Sequence, residues 1–336
     1  MEIIRKRAYA RAGLLGNPSD GYNGRTISVS IRNFWSEVVL YEWDTVEIVL
    51  AEDDRAKFRS VQELAQDVQL HGYYGGIRLI KATIKRFVEY CHQQQVPLHK
   101  RNFSIRYSST IPRQVGLAGS SSIITATLRC LMAFYAVSIP LEIQPSLALA
   151  VEAEELGISA GLQDRVIQAY EGMVYMNFAP EHAQQSQQYT HYLYQRLDPS
   201  LLPSLYVAYH TDLSEPTEVF HNDIRGRFQR GETDVRQAML RFAQIADEGR
   251  VALETGDTAT LNRLIDANFD LRRSIARLPS WQVQMVEVAR ACGATAKFAG
   301  SGGAIIGTYR DQAMYDHLQH ALKEIGSNVI KPLITE

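Results

Sequence analysis

The stretch Ile111-Pro-Arg-Gln-Val-Gly-Leu-Ala-Gly-Ser-Ser-Ser-Ile123 constrains this chain more than any other. A proline, two glycines and three serines run directly into an apolar segment, 123–135. That order of residues is a loop opening onto a helix. The first turn of a helix carries open backbone N–H groups and a partial positive charge. Small residues there let an anion approach the backbone, so the loop fits a phosphate cradle. It equally fits a serine N-cap on a buried helix. The rest of the chain has to separate the two.

With 336 residues the chain has room for two domains or one large one. A 46% hydrophobic and 21% charged composition is that of an ordinary soluble globular protein. The formal net charge of -2 gives no electrostatic reason to expect nucleic acid or an anionic membrane as partner. No apolar run approaches bilayer length, and the basic N-terminal residues lack the apolar core of a signal peptide. Cys91, Cys130 and Cys292 lie far apart with no C-x-x-C pair, and Cys91 and Cys130 fall in amphipathic segments that suit buried free thiols, which fits a reducing cytosol. A cytoplasmic protein, monomeric or homodimeric, is expected.

Period-two alternation marks strands at Ile27–Ile31 and Phe103–Tyr107, and two β-rich runs flank Trp43-Asp44 within Val38–Leu50. Ile77, Ile80, Ile84, Phe87 and Val88 recur at helical spacing. Pro145–Leu156 reads as a helix, followed by the loop Gly157–Gly161 and a strand at Met173–Phe178. Pro180–Gln195 is rich in Gln, His and Tyr without a period and reads as a polar connection, dividing the chain into 1–185 and 196–336. Beyond it come a strand at Leu205–Tyr209, helical patterns from 233 to 292, a strand–loop–strand unit, a helix at Gln312–Ile325 and a strand near Val329. Mixed in this order, the elements imply an α+β fold with antiparallel strands.

Three further segments carry chemistry. Lys297-Phe-Ala-Gly-Ser-Gly-Gly303 is a second glycine loop, where Gly300, Ser301, Gly302 and Gly303 leave backbone N–H groups open. A hairpin turn would need fewer glycines. Gly161-Leu-Gln-Asp-Arg165 follows an acidic segment with Glu152, Glu154 and Glu155. Asp164 could take a proton from an attacking hydroxyl, and one of the glutamates could hold Mg2+. Equally, Asp164 could cap a helix and the glutamates could face solvent. The loop after Arg11 offers Asn17, Ser19 and Asp20 to sugar hydroxyls, or to its own turns. No P-loop, dinucleotide fingerprint or nucleophile elbow is present.

Together and in this order, the four segments resemble the motifs of the GHMP kinase superfamily. Pro112-x-x-x-Gly116-Leu117-Ala118-Gly119-Ser120-Ser121 is similar to its phosphate-binding motif, with Ala118 at a position usually glycine. Lys297–Gly303 is similar to its third motif, and Arg11–Asp20 to its sugar-binding motif. The wording Ala10–Asp20, Pro112–Ser121 and Ala160–Arg165 is similar to that of the glucuronokinases within the superfamily. Asn17-Pro18 stands where galactokinase-type members carry Glu-His, which argues against galactose.

The resemblance implies a two-domain fold, with a first domain like ribosomal protein S5 domain 2 and a ferredoxin-like second domain. It implies ATP and Mg2+ as cofactors and transfer of phosphate to the anomeric hydroxyl of D-glucuronate. Residues Gly116 to Ser121 would hold the triphosphate. Ser120 and Glu152 would bind the metal, with Glu154 and Glu155 as alternatives to the latter. Asp164 would be the base and Arg11 its basic partner. A uronate carboxylate needs a cation, for which Arg165 and Arg113 adjoin the motifs, Arg7 more weakly. Another sugar as substrate, or a catalytically silent sugar sensor, would use the same fold; the presence of Ser120, Asp164 and Arg11 speaks against the sensor.

Overall fold

The strand Arg25–Trp43 is the spine of the first sheet. A computed structural model describes residues 2–49, 75–210 and 218–335, with the backbone alone for 218–223. We number the strands β1 (Ile3–Leu15), β2 (Arg25–Trp43), β3 (Glu47–Ile48), β4 (Asn102–Ser109), β5 (Met173–Asn177), β6 (Gln184–Ser186), β7 (Tyr189–His191), β8 (Leu193–Leu197), β9 (Leu205–His210), β10 (Lys297–Phe298), β11 (Ala304–Thr308) and β12 (Ser327–Ile330). The main helices are α1 (Gly76–Gln93), α2 (Gly119–Tyr135), α3 (Gln144–Ala150), α4 (Gln163–Tyr170), α5 (Glu218–Gln229), α6 (Thr233–Thr255), α7 (Thr258–Ile275), α8 (Ser280–Ala291) and α9 (Gln312–Glu324). Leu50, the last residue of one expected β-rich run, lies outside the described residues.

The first sheet has the order β3-β4-β2-β5-β8, with β1 antiparallel to β2 along its length. The β-branched and aromatic residues of β2 let one strand serve three partners, since its two halves pair with β5 and β4. Helix α2 is apolar nearly all round, and it is buried nearly all round. Ile124, Leu128 and Leu131 pack with α1 residues Ile80 and Phe87 and with Val38 and Leu40 of β2. Each such side chain taken out of water contributes roughly 1.5–3 kcal/mol.

The second sheet, β10-β11-β9-β12, is antiparallel throughout. Taken in chain order, its strands sit 4-1-3-2 when read from β12, the ferredoxin-like arrangement. One apolar cluster joins the two sheets: Ala10, Leu14, Ile27 and Val29 pack with Val207, Ile245, Leu261, Ile265 and Ile306.

Expected and observed elements differ mainly between 180 and 197. The polar stretch folds as the β6-β7 hairpin and as β8, which pairs Leu193–Leu197 with Asn177–Met173 of the first sheet. Gln and Tyr there alternate about an exposed edge, so they carry no apolar period to read. We therefore propose that the division between domains falls between β8 and β9, later than residue 185. The helix expected over Pro145–Leu156 is present but changes pitch, with a π-helical turn at Val151–Glu155. Cys91 and Cys130 are buried free thiols, and burial pushes them up to about 11 and about 12.

Candidate active site

The phosphate-like loop meets the helix without a side-chain cap. Ala118 occupies the cap position of α2 in the left-handed conformation and makes no side-chain cap hydrogen bond. The serines turn the other way. Ser121 Oγ donates to the Ala118 carbonyl at 3.3 Å and Ser122 Oγ to the Gly119 carbonyl at 2.6 Å. Ser122 also shares a hydrogen bond with Ser36 of β2 at 2.6 Å. Ser121 and Ser122 are buried, while Ser120 stays half-buried. Ser121 and Ser122 thus direct their hydroxyls to carbonyls and to Ser36, and neither serves as a helix cap.

The two glycine loops lie against each other. A Cβ at Gly300 would stand 2.2 Å from the Gly116 carbonyl oxygen, and one at Gly116 would stand 2.8 Å from the Gly302 carbonyl oxygen. Gly116 also has φ of 69°, a left-handed conformation that favours glycine. No other side chain allows this approach. Pro112 and Leu117 hold the loop from its two ends, with Leu117 buried and Pro112 half-buried.

Arg11 ties the loops to Asp164. Its position on β1 is buried, and its Nε donates to Asp164 Oδ1 at 2.6 Å. Its Nη1 donates to the Gly116 carbonyl at 2.7 Å and the Ala299 carbonyl at 3.1 Å. Asp164 sits in the first turn of α4, where the helix dipole favours its ionised form. Its side chain keeps 20% of its surface open, so a hydroxyl can reach it.

Asp20 lies beside this pair. A Cβ on Gly161 would fall 2.2 Å from its Oδ2. Burial, then the neighbouring Asp164 charge, push it up to about 6, against the pull of Arg11, the Gln163 N–H and Arg165. Of the sugar-loop residues, Asp20 alone reaches this acid pair. Asn17 is turned inward: its Oδ1 accepts from Lys297 Nζ at 2.5 Å, and its carbonyl accepts from Asn268 Nδ2 at 3.0 Å. Ser19 bridges the Arg25 N–H and carbonyl at 3.1 and 3.0 Å, closing its own loop. Lys297 is itself buried, with the Gly13 and Phe298 carbonyls as its other acceptors, and burial lowers it well below the ordinary lysine range.

Glu152 and Arg165, expected as metal ligand and carboxylate clamp, face each other. Arg165 Nε donates to Glu152 Oε2 at 2.6 Å, and Nη2 reaches the same oxygen. Arg165 Nη1 adds the Gly161 carbonyl at 2.7 Å and lies 3.6 Å from Asp164 Oδ2. Both guanidinium bonds fall on Oε2 of Glu152. The π-helical turn explains the choice among the three glutamates. It points Glu152 inward, where it is buried, while Glu154 and Glu155 pair with Arg86 and Lys85 of α1. Arg113 is exposed.

Sequence reasoning passed over Arg272. This α7 residue is buried and donates to the Gly300 carbonyl at 2.7 Å and the Ser301 carbonyl at 3.1 Å. Its only local signal is a basic residue on the apolar side of an amphipathic helix.

A family model for the GHMP kinase N-terminal domain matches residues 78–172, and one for the GHMP kinase C-terminal domain matches residues 250–328. Glucuronokinase 1 of Arabidopsis thaliana is 43% identical over 309 residues, covering 90% of this chain and 84% of that protein. This chain belongs to the GHMP kinase family. Probable glucuronokinase 2 of the same plant is also 43% identical, over 311 residues with the same coverage. Among solved structures, this GHMP kinase superposes on Lactococcus lactis galactokinase complexed with galactose with a TM-score of 0.77. The two are 15% identical, and the match covers 99% of this chain and 94% of that one. The fold expected of the family is therefore the fold observed. In this kinase the matched segments include the loop at Gly116–Ser121 and the helix that bears Asp164.

Proposed function

We propose that this kinase transfers the γ-phosphoryl group of ATP to the anomeric hydroxyl of D-glucuronate, giving D-glucuronate 1-phosphate. The observation that carries the reading is the Arg11–Asp164 pair at the junction of the two glycine loops. The 43% identity to two glucuronokinases supports the choice of sugar acid.

Phosphoryl transfer depends on position and charge more than on covalent chemistry. The first turn of α2, with Gly119 and Ser120, would hold the triphosphate through backbone N–H groups. Asp164 would accept the proton of the attacking anomeric hydroxyl. Arg11 would keep Asp164 ionised and oriented, since a cation in contact favours the carboxylate. Asp20 would accept a hydrogen bond from a sugar hydroxyl near the reacting centre.

Mg2+ takes hard oxygen ligands and usually keeps one or two carboxylates besides phosphate oxygens and water. Glu152 and Ser120 fit that requirement. Glu152 is the inward-facing acid of its segment, and Arg165 holds it through Oε2. Bound there, the ion would neutralise charge on the transferred group.

The test is a coupled kinase assay against uronic acids, aldoses and polyols, with the product anomer assigned by phosphorus NMR. Turnover of glucuronate to the 1-phosphate supports the reading. Turnover confined to neutral sugars, or phosphate on another hydroxyl, overturns it.

A further inference from the structure

The substrate's carboxylate needs a cation, and of the motif-adjacent arginines Arg165 is paired with Glu152, while Arg113 is an exposed side chain. Three buried basic side chains lie at or near the second glycine loop instead. Arg11 has a carboxylate partner in Asp164. Lys297 Nζ donates to three neutral acceptors, which match its three N–H groups. Arg272 has neither arrangement. It is 4% exposed, no carboxylate among the described residues lies within ion-pair distance of it, and its buried Nε–H has no acceptor. A buried guanidinium without a counter-charge is costly unless something supplies the charge.

Its position relative to Asp164 is set by one residue. The Gly300 carbonyl accepts from Arg272 Nη1, and the Cα side of Gly300 packs on the Arg11 guanidinium, which holds Asp164. Asn268, one turn earlier on the same helix face, donates to the Asn17 carbonyl and accepts from the Gly16 N–H. Arg272 therefore stands where the sugar loop meets the second glycine loop, across Gly300 from the Arg11 guanidinium that holds Asp164. Tyr22 and Asp20, both from the sugar loop, are the acids that share its surroundings.

We propose that Arg272 is the specificity residue that receives the C6 carboxylate of the sugar acid while the anomeric hydroxyl faces Asp164. The inference rests on the reading of the chain as a uronate kinase and names the group that selects the acid. Burial holds Arg272 down to about 10, still protonated at neutral pH, so the charge is present before substrate arrives.

The test pairs two ligands with two proteins: D-glucuronate and its neutral C6 amide, against wild type and Arg272→Gln. A charge-assisted hydrogen bond lost from one ligand corresponds to roughly 10- to 100-fold in KM. Wild type is expected to favour the acid by about that factor, and Arg272→Gln to bring acid and amide within a few-fold of each other. Arg272 also holds the Gly300 and Ser301 carbonyls, so KM for ATP can rise in the variant for both ligands alike, and the readout is the acid-to-amide ratio, in which that shared effect cancels. Thermal shifts by the two ligands without ATP give the same comparison at the level of binding. If Arg272→Gln does not fold, Arg272→Lys replaces it, and a reduced preference for the acid is then expected because the planar fork is lost. An unchanged acid preference in the variant overturns the inference alone, and a rise confined to the KM for ATP assigns the guanidinium to phosphate and overturns it too. A wild type that phosphorylates only neutral sugars overturns the proposed function together with it.

Discussion

Arg11 Nε lies 2.6 Å from Asp164 Oδ1, and the same guanidinium holds the carbonyls of Gly116 and Ala299. One side chain on β1 thus fixes an acid on α4 and both glycine loops. Replacing Asp164 by Asn keeps the shape but removes the proton acceptor. We expect turnover to fall by about 10²–10⁴-fold, with nucleotide affinity nearly unchanged. Near-normal turnover in that variant would rule out Asp164 as the base. Replacing Arg11 by Met should lower turnover and nucleotide affinity together, because the loops lose their common tie. Steady-state kinetics beside nucleotide titration separates the two patterns.

The contact between the glycine loops gives a second expectation. In Gly300→Ala the new methyl would meet the Gly116 carbonyl at 2.2 Å and Arg11 Nη1 at 2.6 Å. The first of these is backbone and cannot swing away. Overpacking of this kind costs about 1–3 kcal/mol, and here it would also push the loops apart. Gly21→Ala is the comparison, since its Cβ meets nothing within 4 Å. Thermal melts and the KM for ATP should both change in the first variant, and the melt should hold in the second.

Asp20 supplies a pH signature. Its carboxyl is raised from 3.8 to about 6, so the folded protein holds a proton there that the unfolded chain has released. Stability from this group is therefore present at low pH and falls as pH rises through about 4 to 6. The span corresponds to at most about 3 kcal/mol. In Asp20→Asn that fall disappears, so the variant should gain on wild type across the same window and hold the gap above it. Melting temperatures at pH 4 and pH 7.5 check this. A constant difference between the two proteins would show that Asp20 is not raised.

Much of this arrangement is legible in the chain. Gly116, Gly300 and Gly303 stand out because a Cβ at each would run into the facing backbone, and the order of the motifs that carry them points to the fold. The directions of side chains were less accessible. Asn17, Ser19 and Asp20 are three polar residues in one loop, yet only Asp20 faces Asp164. What turns Asn17 inward is Lys297, 280 residues away. Glu152, Glu154 and Glu155 are separated by a local change of helical pitch, which no spacing rule encodes. Arg272 follows the period of an ordinary amphipathic helix, and its meaning comes from a loop 28 residues downstream. Strands β6 to β8 were missed because a polar edge lacks the alternation that marks a half-buried strand.

Glu154 and Glu155 should be dispensable where Glu152 is not. They pair with Arg86 and Lys85 at the surface of α1. Such pairs contribute about 0–1 kcal/mol. Alanine at both positions should leave turnover and its Mg2+ dependence unchanged. Glu152→Gln should shift the Mg2+ requirement to higher concentration. A shift in the Glu154 and Glu155 variants, with none in Glu152→Gln, would move the metal to the other acids.

The Glu152–Arg165 pair allows a prediction whose sign depends on pH. Both side chains are buried, and burial raises Glu152 while Arg165 opposes the rise. Removing one partner of a buried pair costs about 3–5 kcal/mol, because the other charge is left uncompensated. In Arg165→Met the stranded group is a carboxylate, which can escape by taking a proton. Its folded-state value then rises further above the unfolded one. Stability from a raised acid is present at low pH and lost as pH climbs. The deficit of Arg165→Met should therefore be large at pH 8 and shrink towards pH 5. In Glu152→Gln the stranded group is a guanidinium, which stays protonated over the whole range, so that deficit should be nearly flat with pH. Urea titrations of the three proteins at both pH values give the comparison. Parallel pH profiles for the two variants would mean that Glu152 is not held in the buried pair.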